Sequence, residues 1–418
     1  MFGKGVLIIV VGFVASFSIY QLNLSRSVMS TTDNFNYYYT RTVVHEQALT
    51  AMNFGVNKVW ADNTTNANFQ IVANQCTSQV QIYEVGLDTV RVCSNTWGHA
   101  FDNEYYAQHN KAKKVQDSVV AIFSYKQPIS RYFWFTNHEA GVYWISQDTV
   151  WGPIHTNHIL NTNGDPVFYG KVTAYKGIAP NPTAKGCKAK FYGGWEVGIK
   201  NEVPTDMSPL INAATTGNGG AAVNTKSLYN TETTFEFLSN GDIIRTVGAG
   251  VADTVSLTDI APTGVIYSSK DVHVKGTLNG QLTIYSDDDI FIDDNLHYAI
   301  DPKVDPTSED ILGLVAKDNV VITNNSANNS DVVIQASIMA VNGSFTAQDY
   351  SGRPVAGAIH LTGSVMQNNR GPVGTFSSWS GSITHGFSKR YYFDPRLSSI
   401  SAPYYPYVRN LHLVSWWE

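Results

Sequence analysis

The side chains best equipped for chemistry are five carboxylates around one short apolar run: Asp287, Asp288, Asp289, Asp293 and Asp294 flank Ile290-Phe291-Ile292. Glycoside cleavage needs two carboxyls at a fixed separation with opposed pKa values, and calcium takes several hard oxygens at once. Acids at the two ends of one strand fit turn positions more simply, so no catalytic residue, cofactor or metal ligand is assigned among them. A second group, His155-Thr156-Asn157-His158, lies near Asp165 and follows His138-Glu139. Histidines three apart grip zinc from a helix. Here Gly152-Pro153 and Asn161-Thr162-Asn163-Gly164 make the segment turn–strand–turn, and structural hydrogen bonding is expected instead. Cys76, Cys93 and Cys187 lack a CxxC spacing. Either Cys76 and Cys93 close a short disulfide loop in an exported domain, or all three are independent buried thiols. No GxSxG, phosphate loop or dinucleotide fingerprint occurs, and Gly217-Asn218-Gly219-Gly220 sits in a low-complexity loop. The expectation is a protein that is not an enzyme.

Composition bears on setting and partners. Charged residues make up 15% of the 418 positions, well below the ~25% of an average soluble protein. Asn, Thr, Ser, Gly and Tyr fill the deficit, as in exported β-rich proteins. The net charge is −6, and no basic cluster is longer than Lys111-Ala112-Lys113-Lys114. Nucleic acid is therefore not an expected partner.

The elements that would carry these residues fall into three stretches. Residues 1–62 read as one long helix: an uncharged apolar run from Val6 to Ile19, then an amphipathic stretch to Trp60 with no proline and a single glycine, Gly55. From Val6 to Trp60 the helix would extend on the order of 80 Å. Phe35, Tyr38, Leu49, Met52, Val56 and Val59 mark its packing stripe, interrupted by Thr42 and His45. A cleaved signal ending at Val14-Ala15-Ser16 is the competing reading, but it leaves the continuity of the helix unexplained.

Residues 63–150 read as a β-rich connecting region. Asn63-Thr64-Thr65-Asn66 stops the helix, and strands begin with Val80-Gln81-Ile82-Tyr83 and Val119-Val120-Ala121-Ile122-Phe123. The aromatic block Tyr132, Phe133, Trp134, Phe135, Tyr143, Trp144, Trp151, Phe168 and Tyr169 is expected to fill a sheet core, with a glycan platform as the alternative use. Residues 151–418 carry a repeat. Val272, Ile290, Val320, Ile338 and Val365 recur at intervals of 18, 30, 18 and 27 residues, each after an earlier short strand. That pitch, with Asp301 to Asp310 bulging at one corner, predicts a parallel β-solenoid; an antiparallel β-sandwich is the alternative. The fold class is thus mainly β with a long N-terminal α-helix.

The junction Lys4-Gly5, the run Val6-Leu7-Ile8-Ile9-Val10 and the later Glu46-Gln47-Ala48-Leu49-Thr50-Ala51 resemble the N-terminus of PilX-type minor pilins. The resemblance implies cleavage after Gly5, leaving Val6 as the mature N-terminus. Major pilins of that family carry a glutamate five residues into the mature chain, where this sequence has Val10. A carboxylate in hydrocarbon is costly unless paired, and a subunit at a filament tip has no neighbour ahead to pair with. A priming or tip subunit is implied. Further motifs are similar to those of an uncharacterised bacterial family that places a β-rich domain behind a pilin-like helix: Gly152-Pro153-Ile154-His155-Thr156-Asn157, Asp165-Pro166-Val167-Phe168-Tyr169-Gly170, Leu312-Gly313-Leu314-Val315-Ala316, Arg370-Gly371-Pro372-Val373-Gly374, and Tyr392-Phe393-Asp394-Pro395-Arg396-Leu397 with Tyr404-Tyr405-Pro406.

These resemblances imply a type IV pilin-like minor subunit, single-pass in the inner membrane, with its C-terminal domain periplasmic or extracellular. Its expected partners are membrane lipid, other pilin-like subunits along the helix, and a surface glycan or protein at the β domain. The alternative is an anchored β-helix that binds or cleaves a cell-surface glycan. Lys4 before the apolar run and Arg26 after it bear only weakly on sidedness.

Overall fold

The computed structural model describes residues 2–62, 64–85, 89–139, 141–146, 148–377 and 382–418. The chain is mainly β with a long N-terminal helix and forms two compact units, residues 1–127 with 409–418, and residues 128–408. The sequence-based divisions at 62/63 and 150/151 differ from this boundary. Trp134 pairs with Ile154 and Val365, which ties the aromatic block to the second unit.

In the first unit, helix α1 runs unbroken from Phe2 to Asp62, about 90 Å at ~1.5 Å per residue. Its C-terminal part lies on an antiparallel sheet built from strands β1 (Ala67–Ala73), β2 (Cys76–Glu84), β3 (Thr89–Ala100) and β4 (Lys113–Pro128). The C-terminal strand Tyr407–Trp417 adds beside β4. The expected strands at Val80 and Val119 lie within β2 and β4. Val44, Gln47, Ala48, Ala51, Met52, Gly55 and Val59 form the buried face of α1, at successive spacings of 3, 1, 3, 1, 3 and 4 residues, as one helical stripe requires. They meet Val80, Ile82, Val90, Val92, Val119 and Ala121 from the sheet.

The stripe expected from the sequence needs correcting at its start. Met52 and Val59 are buried as expected, but Phe35 and Tyr38 remain 68% and 63% exposed. The sheet begins to cover α1 only near Tyr37 and Val44, so an apolar stripe continues beyond the surface available to bury it. The disulfide alternative is also overturned. Cys93 stands opposite Gln81 in the β2–β3 ladder, five residues along from Cys76. That is roughly 17 Å of strand, beyond any disulfide. Cys76 and Cys93 are separate buried thiols, and Cys187 is free and half-buried.

The second unit is built chiefly from parallel ladders. One joins Val272, Ile290, Val320 and Phe345 through the strands Val272–Leu278, Ile290–Tyr298, Val320–Ile322 and Phe345–Ala347. Another joins Ile266, Ile284, Leu314, Ile338 and Val365, and continues to Trp134, Ile154, Val172 and Trp195. The early strand β5 (Trp134–His138) therefore stacks on the late strand Val355–Asn369. Here the inferred repeat is corrected: Val272, Ile290 and Val320 do share a ladder, but Ile338 and Val365 belong to the neighbouring one. Inward aliphatics on different faces look alike in sequence, so their spacing alone does not identify the face. All of these ladder residues from Ile266 to Val365 are fully buried. Residues 301–307 are exposed apart from Asp301 and Pro302, which are half-buried, and they make the expected excursion.

Helix α1 approaches its sheet closely at Gly55, where an added Cβ would come within 2.6 Å of Val92 Cγ1 and 3.0 Å of Val80 Cγ1. Overfilling a packed core costs about 1–3 kcal/mol, and the higher helix propensity of alanine recovers about 1 kcal/mol at most. Gly55→Val should therefore lower the unfolding free energy by about 2 kcal/mol, with Gly55→Ala much milder, as measured by denaturant melts of the full chain in detergent.

Candidate membrane and assembly helix

The first third of α1 is the feature most plainly built for attachment. Val6, Leu7, Ile8, Ile9, Val10, Val11, Phe13 and Val14 occupy nearly consecutive positions and are all exposed, so every side of the helix is apolar. A helix of that kind is covered by lipid or by other helices. Residues 5–25 carry no charge. In continuous helix they extend about 30 Å, the depth of a bilayer's hydrocarbon core. The apolar run judged by sequence alone stopped at Ile19, short of that depth; Leu22 and Leu24 carry it on because the helix does not break. The polar side chain of Ser18 is satisfied within α1, its Oγ donating to Val14 O at 2.7 Å. Among the described residues there is one helix long and apolar enough to cross a membrane. Gly5 and Val6 lie in its exposed first turns, and Val10 is exposed one turn further on.

The two histidines of the turn–strand–turn segment serve different ends. His155 is fully buried, with Nδ1 at 2.7 Å from Thr173 Oγ1 and Nε2 at 3.0 Å from Asn157 Oδ1. Burial holds its pKa below the ordinary histidine value against the opposing Asn157 hydrogen bond. Both nitrogens are engaged, as structural hydrogen bonding requires. His158 lies half-buried beside His138, ring centroids 6.0 Å apart. Glu139, cited only as a neighbour of that pair, is fully buried and bound to Arg370 Nη1 at 2.8 Å. The two are 231 residues apart, and nothing local signals the contact. Asp165 is exposed, its backbone N donating to Ser146 Oγ at 3.2 Å.

The acidic run is spent on corners of the parallel ladders. Asp271 Oδ1 accepts from Asp289 N at 3.1 Å, Asp289 Oδ1 from Asn319 N at 2.7 Å, and Asn319 Oδ1 from Ser344 N at 3.0 Å. Each side chain thus satisfies a backbone N–H one rung along the ladder. Asp287 accepts from the hydroxyls of Tyr267 and Tyr285, both at 2.7 Å. Burial, with Asp287 beside it, pushes the Tyr267 hydroxyl up to about 12. Asp271, Asp288 and Asp289 bring carboxylate oxygens within 4.8 Å of one another. That closeness follows from the corner stack and is no more than an acidic cluster.

The aromatic block divides. Phe133, Trp134, Phe135, Trp144 and Phe168 are buried, as the sheet-core reading expects, whereas Trp151, Tyr169 and Tyr143 are exposed. Trp151 stacks on Tyr392 at 5.0 Å and on Tyr169 at 5.9 Å, and Tyr169 stacks on Tyr192 at 5.3 Å. Trp151 and Tyr169 each have a ring stacked on both sides, while Tyr392 and Tyr192 end the stack, with Lys303 Nζ 4.1 Å from the Tyr392 ring centre.

Several of the motifs quoted from the C-terminal region mark tight packing. Asp394 is buried and accepts from Arg396 N at 3.0 Å and from its guanidinium Nη2 at 2.7 Å, while Arg396 Nη1 donates to Ser308 O at 2.6 Å. A Cβ on Gly313 would lie 2.8 Å from the Tyr405 ring. These residues hold the segment 394–406 against the ladder.

No family model matches the chain, and no curated protein matches it. Among solved structures the chain is similar to the competence-associated pilin ComZ from Thermus thermophilus, with 10% identity and a TM-score of 0.35, over 91% of this chain and 96% of that one. That overlap is too slight to transfer fold or function.

One titrating group on the outer face of the ladders gives a direct test of these contacts. His273 Nδ1 lies 2.8 Å from Asp293 Oδ2, and Nε2 lies 3.2 Å from Glu232 Oε1. The Asp293 hydrogen bond raises its pKa against the effect of burial. A raised histidine contributes stability that is full below the unfolded value near 6.5 and is lost as pH rises through the folded value. His273→Gln should therefore destabilise the full chain more at about pH 5 than at about pH 8, read from thermal midpoints. Equal losses at the two pH values would show that the ring's charge is not used.

Proposed function

We propose that the chain is a type IV pilin-like minor subunit, anchored in the inner membrane by the first third of α1, with its C-terminal domain on the periplasmic or extracellular side. The observation that carries this reading is the unbroken α1 itself: it is apolar on every side from Val6 to Val14, uncharged and exposed on through Leu24, then seated on an antiparallel sheet from Val44 to Val59. Lipid and the helices of neighbouring pilin-like subunits are the partners such a surface selects. The resemblance at Lys4-Gly5 and Val6 to Val10 supports processing after Gly5, with Val6 as the mature N-terminus. Val10 in place of a carboxylate supports a tip or priming position.

The second unit is read as a β-solenoid, displayed for capping or adhesion. Its long parallel ladders support that architecture, since an antiparallel sandwich would pair its strands the other way. The ligand class for such a surface is a glycan or a protein. The alternative of an anchored glycan-binding β-helix draws on the exposed stack around Trp151. No catalytic role is proposed, because Asp287, Asp289 and Asp293 are each bound into structural hydrogen bonds.

Sequencing the mature protein's N-terminus should give Val6; Phe17 would indicate a cleaved signal and Met1 a plain anchor. Deleting residues 2–30 leaves the packing face of α1 intact, so it should release a folded soluble protein that no longer enters filaments. A soluble form that still assembled would overturn the proposal.

A further inference from the structure

The second unit contains a cavity of mixed polar and apolar lining that the attachment reading does not use. It has a volume of about 80 Å³, and its polar wall includes Trp134, Asp148, Arg370, Lys389, Arg390 and Tyr391. That is room for several waters or one small solute. Arg370 is buried, with Nη1 bound to Glu139 and its guanidinium 4.1 Å over the Trp144 ring. Lys389 Nζ lies 3.6 Å from Asp148 Oδ2 and 5.5 Å from the Trp144 ring centre.

Four buried polar groups in this cluster have no hydrogen-bond partner among the described residues: Arg370 Nη2, Tyr391 Oη, Trp134 Nε1 and Trp144 Nε1. Trp134 and Tyr391 are stacked at 5.6 Å, and Trp134 and Trp144 meet edge to face at 5.5 Å, so these groups belong to one packed cluster. Every one of the four can donate. The carboxylates nearby are already engaged: Glu139 by Arg370 and Thr136, and Asp148 by Ile145 N and Lys389. Buried donors without acceptors are rare and destabilising. Three of the four, Arg370 Nη2, Tyr391 Oη and Trp134 Nε1, belong to residues that line the cavity, and one carboxylate, with about four lone-pair sites on two oxygens, can accept from all three.

We infer that this cavity binds a small carboxylate, its oxygens accepting from Arg370, Tyr391 and the Trp134 indole while Lys389 supplies a nearby positive charge. Burial holds the Lys389 ammonium below the ordinary lysine value, which the Asp148 charge opposes. A desolvated cation of that kind gains when a further anion enters. The carboxylate could come from a free organic acid or from a uronate residue of a polysaccharide.

The test is a calorimetric titration of the full chain in detergent with sodium acetate, glucuronate, a uronate oligosaccharide and, as controls, glucose and sodium chloride. Acetate and glucuronate should bind saturably, and the controls should not. Tighter binding of the oligosaccharide would identify a polysaccharide source, and its exclusion a free acid. Tyr391→Phe keeps the ring and removes one donor, so it should weaken binding about tenfold. It should also raise the thermal midpoint without ligand, because it removes an unpaired buried hydroxyl. Lys389→Met should weaken binding at least as much, which keeps the test decisive should the first variant fold poorly. Absence of saturable carboxylate binding, glucose binding as well as glucuronate, or affinities unchanged in both variants would overturn the inference.

Discussion

One helix facing two environments sets the terms for the rest of this protein. A helix satisfies its own backbone hydrogen bonds, so it can leave water without unpaired N–H and C=O groups. That is why α1 can present Val6 to Leu24 bare on every side and still continue into a packed face at Val44. An interruption between the two halves would expose backbone at the point where the surroundings change. The absence of proline throughout α1 and the single glycine after Gly12, at Gly55, follow from that constraint. Gly55 is also where the helix needs least bulk, because Val80 and Val92 press against it.

The second unit solves a different problem. Its inward aliphatics supply cohesion but do little to fix which strand stacks on which. The corners add that information. Asp271, Asp289 and Asn319 each reach to a backbone N–H one rung along the ladder, and Asp310 reaches Gly280 N in the same way at 2.7 Å. Side chains that could pass for catalytic acids are thereby committed to holding the chain in register. Acids at strand ends are ambiguous in sequence for this reason: the same residue types cap coils and cleave glycosides, and only their partners separate the two uses.

Legibility in the sequence tracked the range of the interactions involved. Helix α1 was readable because its signals are local: no charge over the apolar run, no proline, and a three-to-four spacing at Leu49, Met52, Val56 and Val59. Phe35 and Tyr38 misled because a stripe reports what a helix could bury, whereas the sheet decides what it does bury. The sharing of a ladder by Val272, Ile290 and Val320 was visible in their spacing. The displacement of Ile338 and Val365 to the adjoining ladder was not, since both faces use the same aliphatic alphabet. The His155 environment was anticipated from the turns around it. The pairing of Glu139 with Arg370, and the cavity beside it, depends on segments 231 residues apart, and no local pattern encodes such a meeting.

The stacking of Trp134 on Val365 has a consequence for biogenesis. During synthesis or export the aromatic segment emerges long before the strand it must rest against. Until Val355–Asn369 arrives, one side of Trp134 has no rung beneath it, and its backbone groups present an open edge of the kind that invites mispairing. The search for so distant a partner is slow by its topology. Maturation of the second unit is therefore gated by its late strands, and holding the nascent aromatic half apart from its neighbours becomes a task for the cell.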